Sequence, residues 1–183
     1  MAMPELCSWD DLKNMLDLEG SSISEYPALD DTRLRVAYAL EVHLGRLFEV
    51  KERTESISVG MSPIQMIYLP GVPSASISSV TVRTRYETLT LSEDDYMVTN
   101  YGLKLWSRVS NSEIEVVYTG GISEVPGSLN RASLLQTVYE FQGKEHVGAT
   151  SVSTDGGTVS TPEIQLLKTV KASIKGEHHP LQW

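Results

Sequence analysis

The chain has 183 residues, of which 40% are hydrophobic and 21% charged, values of an ordinary globular protein rather than a disordered one. Fifteen basic residues against 24 acidic ones give a net charge of −9, which excludes a generally basic, phosphate-neutralising protein although not a local basic patch. The single cysteine, Cys7, excludes an internal disulfide, a multi-cysteine zinc site and a thioredoxin-type pair.

The first residues carry neither a basic n-region nor an apolar h-region, and no apolar run approaches the ~18 residues that would span a bilayer. The expectation is a soluble protein made in a reducing cytoplasm, with no membrane partner. Residues 1–50 hold ten acids and four bases, a local −6, while residues 151–183 balance to zero. Two-thirds of the acidic excess therefore lies near the N-terminus, either as a solvated helix surface or as a face that repels nucleic acid or receives a basic partner.

Ser8 before Trp9, Asp10 and Asp11 has the chemistry of an N-cap with acids in the first turn, so a short helix is expected to about Asp17. After a connector at 21–27, Asp30 or Asp31 is expected to cap a longer helix to about Phe48. Leu34, Ala37, Tyr38, Leu44, Leu47 and Phe48, with Leu40 beside them, recur along it at helical spacing as one core-facing stripe. After Val50 the period changes from 3.6 to 2, which marks strands. They are expected at 53–59, 64–69, 77–85, 89–91, 96–98, 103–106 and 114–118. Pro70-Gly71-Val72-Pro73 breaks the second, and Asn100-Tyr101-Gly102 and Ser110-Asn111-Ser112 have hairpin-turn chemistry.

Pro126 opens a second helical region to about His146, lined by Ala132, Leu135, Val138, Tyr139 and Gln142. Residues 148–162 are rich in Gly, Ser and Thr and read as a flexible or partner-ordered loop. A last helix is expected at 163–174, followed by a tail, 176–183, ending in Trp183. The fold class is α+β: N-terminal helices, a small antiparallel sheet or barrel-like middle, and C-terminal helices with a flexible tail. One domain is expected over 1–175 (1–50 helical, 51–121 β, 126–175 helical), with 176–183 as its tail.

Spacing does not decide a Ser/His/Asp triad, whose members need only meet in space, but nothing in the sequence marks a particular serine as activated. There is no Gly-x-Ser-x-Gly elbow, and Gly120-Gly121 and Gly156-Gly157 precede no Gly-Lys-Ser/Thr. His178-His179, adjacent in a tail, make a poor metal site, and Glu93-Asp94-Asp95 lacks EF-hand spacing. No catalytic, cofactor or metal residue is therefore assigned.

The central block carries a more specific pattern. Ile67-Tyr68-Leu69-Pro70-Gly71-Val72-Pro73 leads into Ile77-Ser78-Ser79-Val80-Thr81-Val82. Asp95-Tyr96-Met97-Val98 and Gly102-Leu103 follow, and Ile114 to Gly121 with Val125-Pro126 then opens a helix. In order and spacing this resembles the head–tail connector proteins of tailed bacteriophages, also named head-completion or neck adaptor proteins, over roughly residues 30–175. The resemblance implies a non-enzymatic structural protein of the virion neck at the portal vertex, made in the host bacterial cytoplasm. It would form a homo-oligomeric ring, usually of twelve copies, between the portal protein and a tail or stopper protein, with DNA passing through without specific binding. A tail-terminator or stopper protein is the alternative within a virion. A monomeric ligand-binding β module, with Tyr101, Trp106 and Tyr118 as stacking residues, is the alternative of another class, and a small hydrolase a third.

On this resemblance, subunit–subunit contacts are expected from Leu34, Tyr38, Leu44, Leu135 and Tyr139. Portal docking is expected from Leu166, Leu167, Val170, Leu181 and Trp183. Twelve copies at −9 would sum to about −108, screened over a Debye length of roughly 8 Å. Part of the cluster Asp10, Asp11, Asp17, Glu19, Glu25, Asp30 and Asp31 is therefore expected to face the lumen or the tail side.

Overall fold

The structure is a computed structural model that describes residues 5–71, 76–143, 151–154, 157–160 and 166–177. It is α+β, with every strand pair antiparallel. The described chain divides into two compact units: residues 44–124 form a β unit, and 5–43 with 125–177 form a helical unit. The β unit is thus an insertion between two helical segments of the sequence.

In the helical unit, α1 spans Trp9–Leu16. The Ser8 side chain accepts from the Asp11 N–H, and Asp17 ends the helix in the left-handed conformation. Helix α2 spans Pro27–Leu44, earlier at both ends than its expected 30–48. Pro27 supplies a preset φ at the first helical position, so no Asp30 or Asp31 cap is needed. Gly45, at φ 64°, stops the helix as a left-handed C-terminal residue, leaving Leu47 and Phe48 beyond it. Helix α3 spans Gly127–Gly143, and the N–H groups of Leu129 and Asn130 donate to the Pro126 carbonyl. Helix α4 spans Lys168–Ser173 and is followed by a 3-10 turn at Lys175–Glu177, shorter than the expected 163–174. Residues 163–165 of that expectation lie outside the described residues.

Cys7, Leu12, Leu29 and Val138 form a small buried cluster, with Trp9, Leu16, Tyr26 and Phe141 packed on it. Trp9 and Tyr26 stack with ring centroids 5.5 Å apart. Arg33 binds Asp30 at 2.7 Å and Glu5 at 2.8 Å, fastening the segment before α1 to α2. Burial pushes the Cys7 thiol up, partly offset by the Ser133 hydroxyl, which lies 3.6 Å from the Cys7 sulfur.

In the β unit, β1 (Lys51–Val59), β3 (Ser76–Arg83), β4 (Thr88–Thr90) and β7 (Ser112–Gly120) form one sheet in the order β1-β7-β3-β4. A second sheet, β2-β6-β5, is built from β2 (Ile64–Tyr68), β5 (Tyr96–Thr99) and β6 (Gly102–Val109). Inward residues of both sheets share one core: Ile67, Leu69, Val80, Leu103, Leu105, Ile114, Val116 and Tyr118 are all buried. The alternation along β7 puts Ile114, Val116 and Tyr118 inside and Glu113 and Glu115 toward the other face, as a half-buried strand requires. Asn100-Tyr101 turns the β5–β6 hairpin, with Thr99 opposite Gly102. Ser110-Asn111 does not turn a hairpin. There the chain leaves one sheet for the other, with Asn111 at φ 48° and its N–H donating to the Gly60 carbonyl.

The glycine pair that ends β7 packs backbone on backbone. A Cβ on Gly120 would lie 2.4 Å from the Gly71 carbonyl oxygen and 2.7 Å from Tyr118. That same oxygen accepts the Gly121 N–H at 2.6 Å. The Ser/Thr/Gly segment expected as a loop contains a hairpin, β8 (Ser151–Thr154) with β9 (Gly157–Ser160), in register from Ser151 opposite Ser160 to Thr154 opposite Gly157. Ser, Thr and Val alternate well enough in a strand for the composition of a linker and of a short hairpin to coincide.

Candidate functional site

Helix α2 is apolar on two sides. Leu29, Val36, Ala37, Leu40 and Leu44 are buried. On the opposite side Leu34, Tyr38 and Val42, at four-residue spacing, are 40%, 63% and 64% exposed. The single core stripe expected from Leu34 to Phe48 is therefore two stripes: Ala37, Leu40 and Leu44 belong to the inner one, Leu34 and Tyr38 to the outer. An exposed row of three large apolar residues, bordered by the exposed Asp31 and Arg35, is the kind of helix face that a second protein surface covers. Val42 escaped sequence reading because it was not on the stripe counted; its four-residue spacing from Tyr38 was the available signal.

Among the residues expected between subunits, Leu34 and Tyr38 thus lie on an open face, and Leu135 and Tyr139 of α3 are half-buried. Leu44 is fully buried within its own chain, so it has no surface to offer a neighbour. Of the residues expected at the portal, Leu166 and Leu167 are half-buried and Val170 is fully buried. The Leu167 N–H donates to the side-chain oxygen of the buried Gln136 at 2.9 Å, which anchors the start of α4 to α3. Val170 therefore serves the helical unit's own packing. Leu181 and Trp183 lie outside the described residues.

The acidic cluster lies wholly in the helical unit. Asp10, Asp17, Glu19, Glu25 and Asp31 are exposed, and Asp11 and Asp30 are partly covered. The Ser21 hydroxyl and N–H hold the Glu25 carboxyl below its usual range, so this acid stays charged in mild acid.

Of the three proposed stacking aromatics, Tyr118 is fully buried, and its hydroxyl accepts the Gly71 N–H at 3.4 Å. It is a core residue and not a ligand platform. Burial, with Glu55 adding to it, pushes its hydroxyl above the usual tyrosine range. Trp106 and Tyr101 are exposed by 55% and 40%, and Lys104 Nζ sits 5.9 Å from the Trp106 ring centre. Among the described residues there is no group of three or more His, Cys, Asp or Glu able to hold a metal ion, and His178 and His179 fall outside them. No helix among the described residues is long and apolar enough to cross a membrane.

No protein-family model and no curated protein sequence matches the chain. Solved structures do. A chain of the neck of an empty gene transfer agent (GTA) particle, computed with C6 symmetry, aligns with a TM-score of 0.58 at 14% identity, covering 100% of this chain and 95% of that one. A chain of the virion of a native GTA particle aligns at 0.59 and 13% identity with the same coverage. Across its whole length, helices and inserted sheets alike, this chain therefore has the fold of a protein chain found in the neck of a gene transfer agent particle.

Proposed function

We propose that this protein is a structural adaptor of a phage-like neck: a homo-oligomeric ring that joins a portal to a tail or stopper protein and continues the DNA channel. The observation that carries this reading is the likeness to a GTA neck chain over the full length of both chains, since a shared β-sandwich alone would be an unspecific match. The exposed Leu34–Tyr38–Val42 face of α2 supports it, because a ring wall needs an apolar surface that the isolated subunit leaves uncovered. A neck computed with C6 symmetry is compatible with rings of six or twelve copies, and twelve is the number proposed here. The protein would act by position and fit, without catalysis, and would reside in the virion after synthesis in a bacterial host.

In this reading the wall is formed through α2 and α3, and the segment from Leu166 onward reaches the portal. The acidic helical unit places negative charge toward the lumen or tail side, where it keeps DNA phosphates from adhering. Mass photometry and negative-stain imaging of the protein, alone and mixed with its portal, test the proposal. Rings in either sample are the expected result, and a chain that remains monomeric in both refutes it.

A further inference from the structure

We infer that the hairpin β8–β9 of one copy pairs, through its main chain, with the open edge of β1 in the next copy, so that strand addition stitches neighbouring subunits together. This deepens the ring reading and rests on it.

Strand β1 ends its sheet, in the order β1-β7-β3-β4, and among the described residues no strand pairs with its other edge. It is nine residues long and matches β7 from Lys51 opposite Gly120 to Val59 opposite Ser112 without a shift in register. The other outer strands of the two sheets offer less: β2 has five residues and an irregular register, β5 has four and β4 three. Both faces of β1 are already committed. Ile57 and Val59 pack on the core, while Glu52, Thr54, Ser56 and Ser58 are exposed. The edge is the remaining surface, a row of N–H and C=O groups that natural sheets blunt with a bulge, a proline or charge. Strand β1 has neither bulge nor proline, and its charges, Lys51, Glu52, Arg53 and Glu55, all sit in its first five residues, leaving 56–59 uncharged.

The hairpin has the converse need. Strands β8 and β9, four residues each, pair with each other and, among the described residues, with no further strand. A two-stranded hairpin is marginal in water and is stabilised by a third strand. Its register fixes which groups it offers. Thr154 opposite Gly157 flanks a two-residue connection, and such a pair exchanges ladder bonds. The next pair, Ser153 and Thr158, therefore turns its N–H and C=O groups outward, as do Ser151 and Ser160. Each edge of the hairpin thus presents a four-residue ladder, the length of the uncharged part of β1. Residues 148–162 carry one charge, Asp155, so pairing at 56–59 sets no row of charges against another.

The occupant follows from where the two halves lie. The hairpin belongs to the helical unit and β1 to the β unit, so one chain carries both a strand donor and a strand acceptor. Main-chain pairing of this kind is a general mode of recognition. As a heterologous contact it lets each copy in a closed ring give one hairpin and receive one, with no edge left over. Pairing β1 with β1 of a second copy would instead close a two-fold dimer and leave both hairpins without a third strand.

Ser153→Pro and Thr158→Pro, one on each strand, each remove an outward N–H while leaving the hairpin's own bonds in place. Sedimentation velocity of the full-length protein should show half-assembly at a concentration roughly tenfold higher for the variant on the docking edge, with circular dichroism unchanged. In a Cys7→Ser background, copies carrying Ser58→Cys mixed with copies carrying Ser153→Cys should join through a short bismaleimide into a two-chain band. Hydrogen exchange at 56–59 should slow on assembly. If the wild type forms rings and both proline variants form them at the same concentration, or the mixed copies never cross-link, the contact is overturned while the ring reading stands. A chain carrying both cysteines that cross-links only within itself also overturns it, since the hairpin then pairs with its own β1. So does slowed exchange that appears only after portal is added, which assigns the edge to the portal. A wild type that never assembles overturns both readings.

Discussion

Replacing Tyr38 by serine separates a surface kept for a neighbour from one that merely tolerates water. Tyr38 is 63% exposed at the middle of the outer row of α2. An aromatic side chain presents roughly 200 Å² when fully open, so about 125 Å² remains to be covered, and at ~25 cal/mol/Å² this is at most about 3 kcal/mol per contact. The hydroxyl and backbone share of that area reduces it to about 2 kcal/mol, or roughly 30-fold in the constant for each subunit junction. Folding should hardly notice, because surface substitutions away from caps and cores stay within about 0.5 kcal/mol. Thermal unfolding of the dilute monomer should therefore match the wild type, while sedimentation velocity over a concentration series shows assembly displaced to concentrations roughly 30-fold higher. The same assembly curve for both proteins would refute the reasoning, and a large fall in melting temperature would show that Tyr38 serves the subunit's own fold.

Gly120→Ala would drive a Cβ to 2.4 Å from the Gly71 carbonyl oxygen, which is already committed to the Gly121 N–H. Overpacking of this kind costs about 1–3 kcal/mol and should lower the melting temperature by several degrees. Gly127→Ala, with nothing within 4 Å, is the matched control, and equal melting of the two variants would sink the argument. The Cys7 thiol, buried and pushed up, should react far more slowly with a thiol reagent at pH 8 in the folded protein than in denaturant, and rapid labelling of the native state contradicts its burial. Glu25, Glu49 and Asp95 are held below their usual range by the Ser21 hydroxyl, by Lys51 and by the Ser92 hydroxyl respectively. Groups depressed in the folded state stabilise it above their unfolded pKa, and that stability is lost as pH falls through the folded values. Melting temperature should thus fall below about pH 4, and a Glu25→Gln, Glu49→Gln, Asp95→Asn variant should show a shallower acid slope; an unchanged slope would remove these three groups from the account.

Local chemistry made much of the fold legible in the sequence. Ser8 and the acids after it gave the start of α1, the period of two gave all seven strands of the β unit to within a few residues, and Pro126 gave the start of α3. Each depends on contacts within a few residues, where side-chain type limits the backbone directly. The α+β class and the likeness to neck adaptors rested on the order of those same strands and turns.

Tertiary structure decided the rest. Periodicity shows that α2 has apolar residues but not which of its two apolar sides meets the core, so Leu34 and Leu40 looked equivalent until packing buried one and left the other out. Turn chemistry at Ser110-Asn111 is the same whether the chain pairs with itself or crosses between sheets, and only the partners across space separate a hairpin from a sandwich connection. Tyr118 and Trp106 are both aromatic residues in strands, yet one fills the core that the two sheets share and the other lies on the uncovered face of its strand, and only the packing of one sheet on the other separates them. Burial and register are properties of pairs of segments far apart in sequence, and no single segment encodes them.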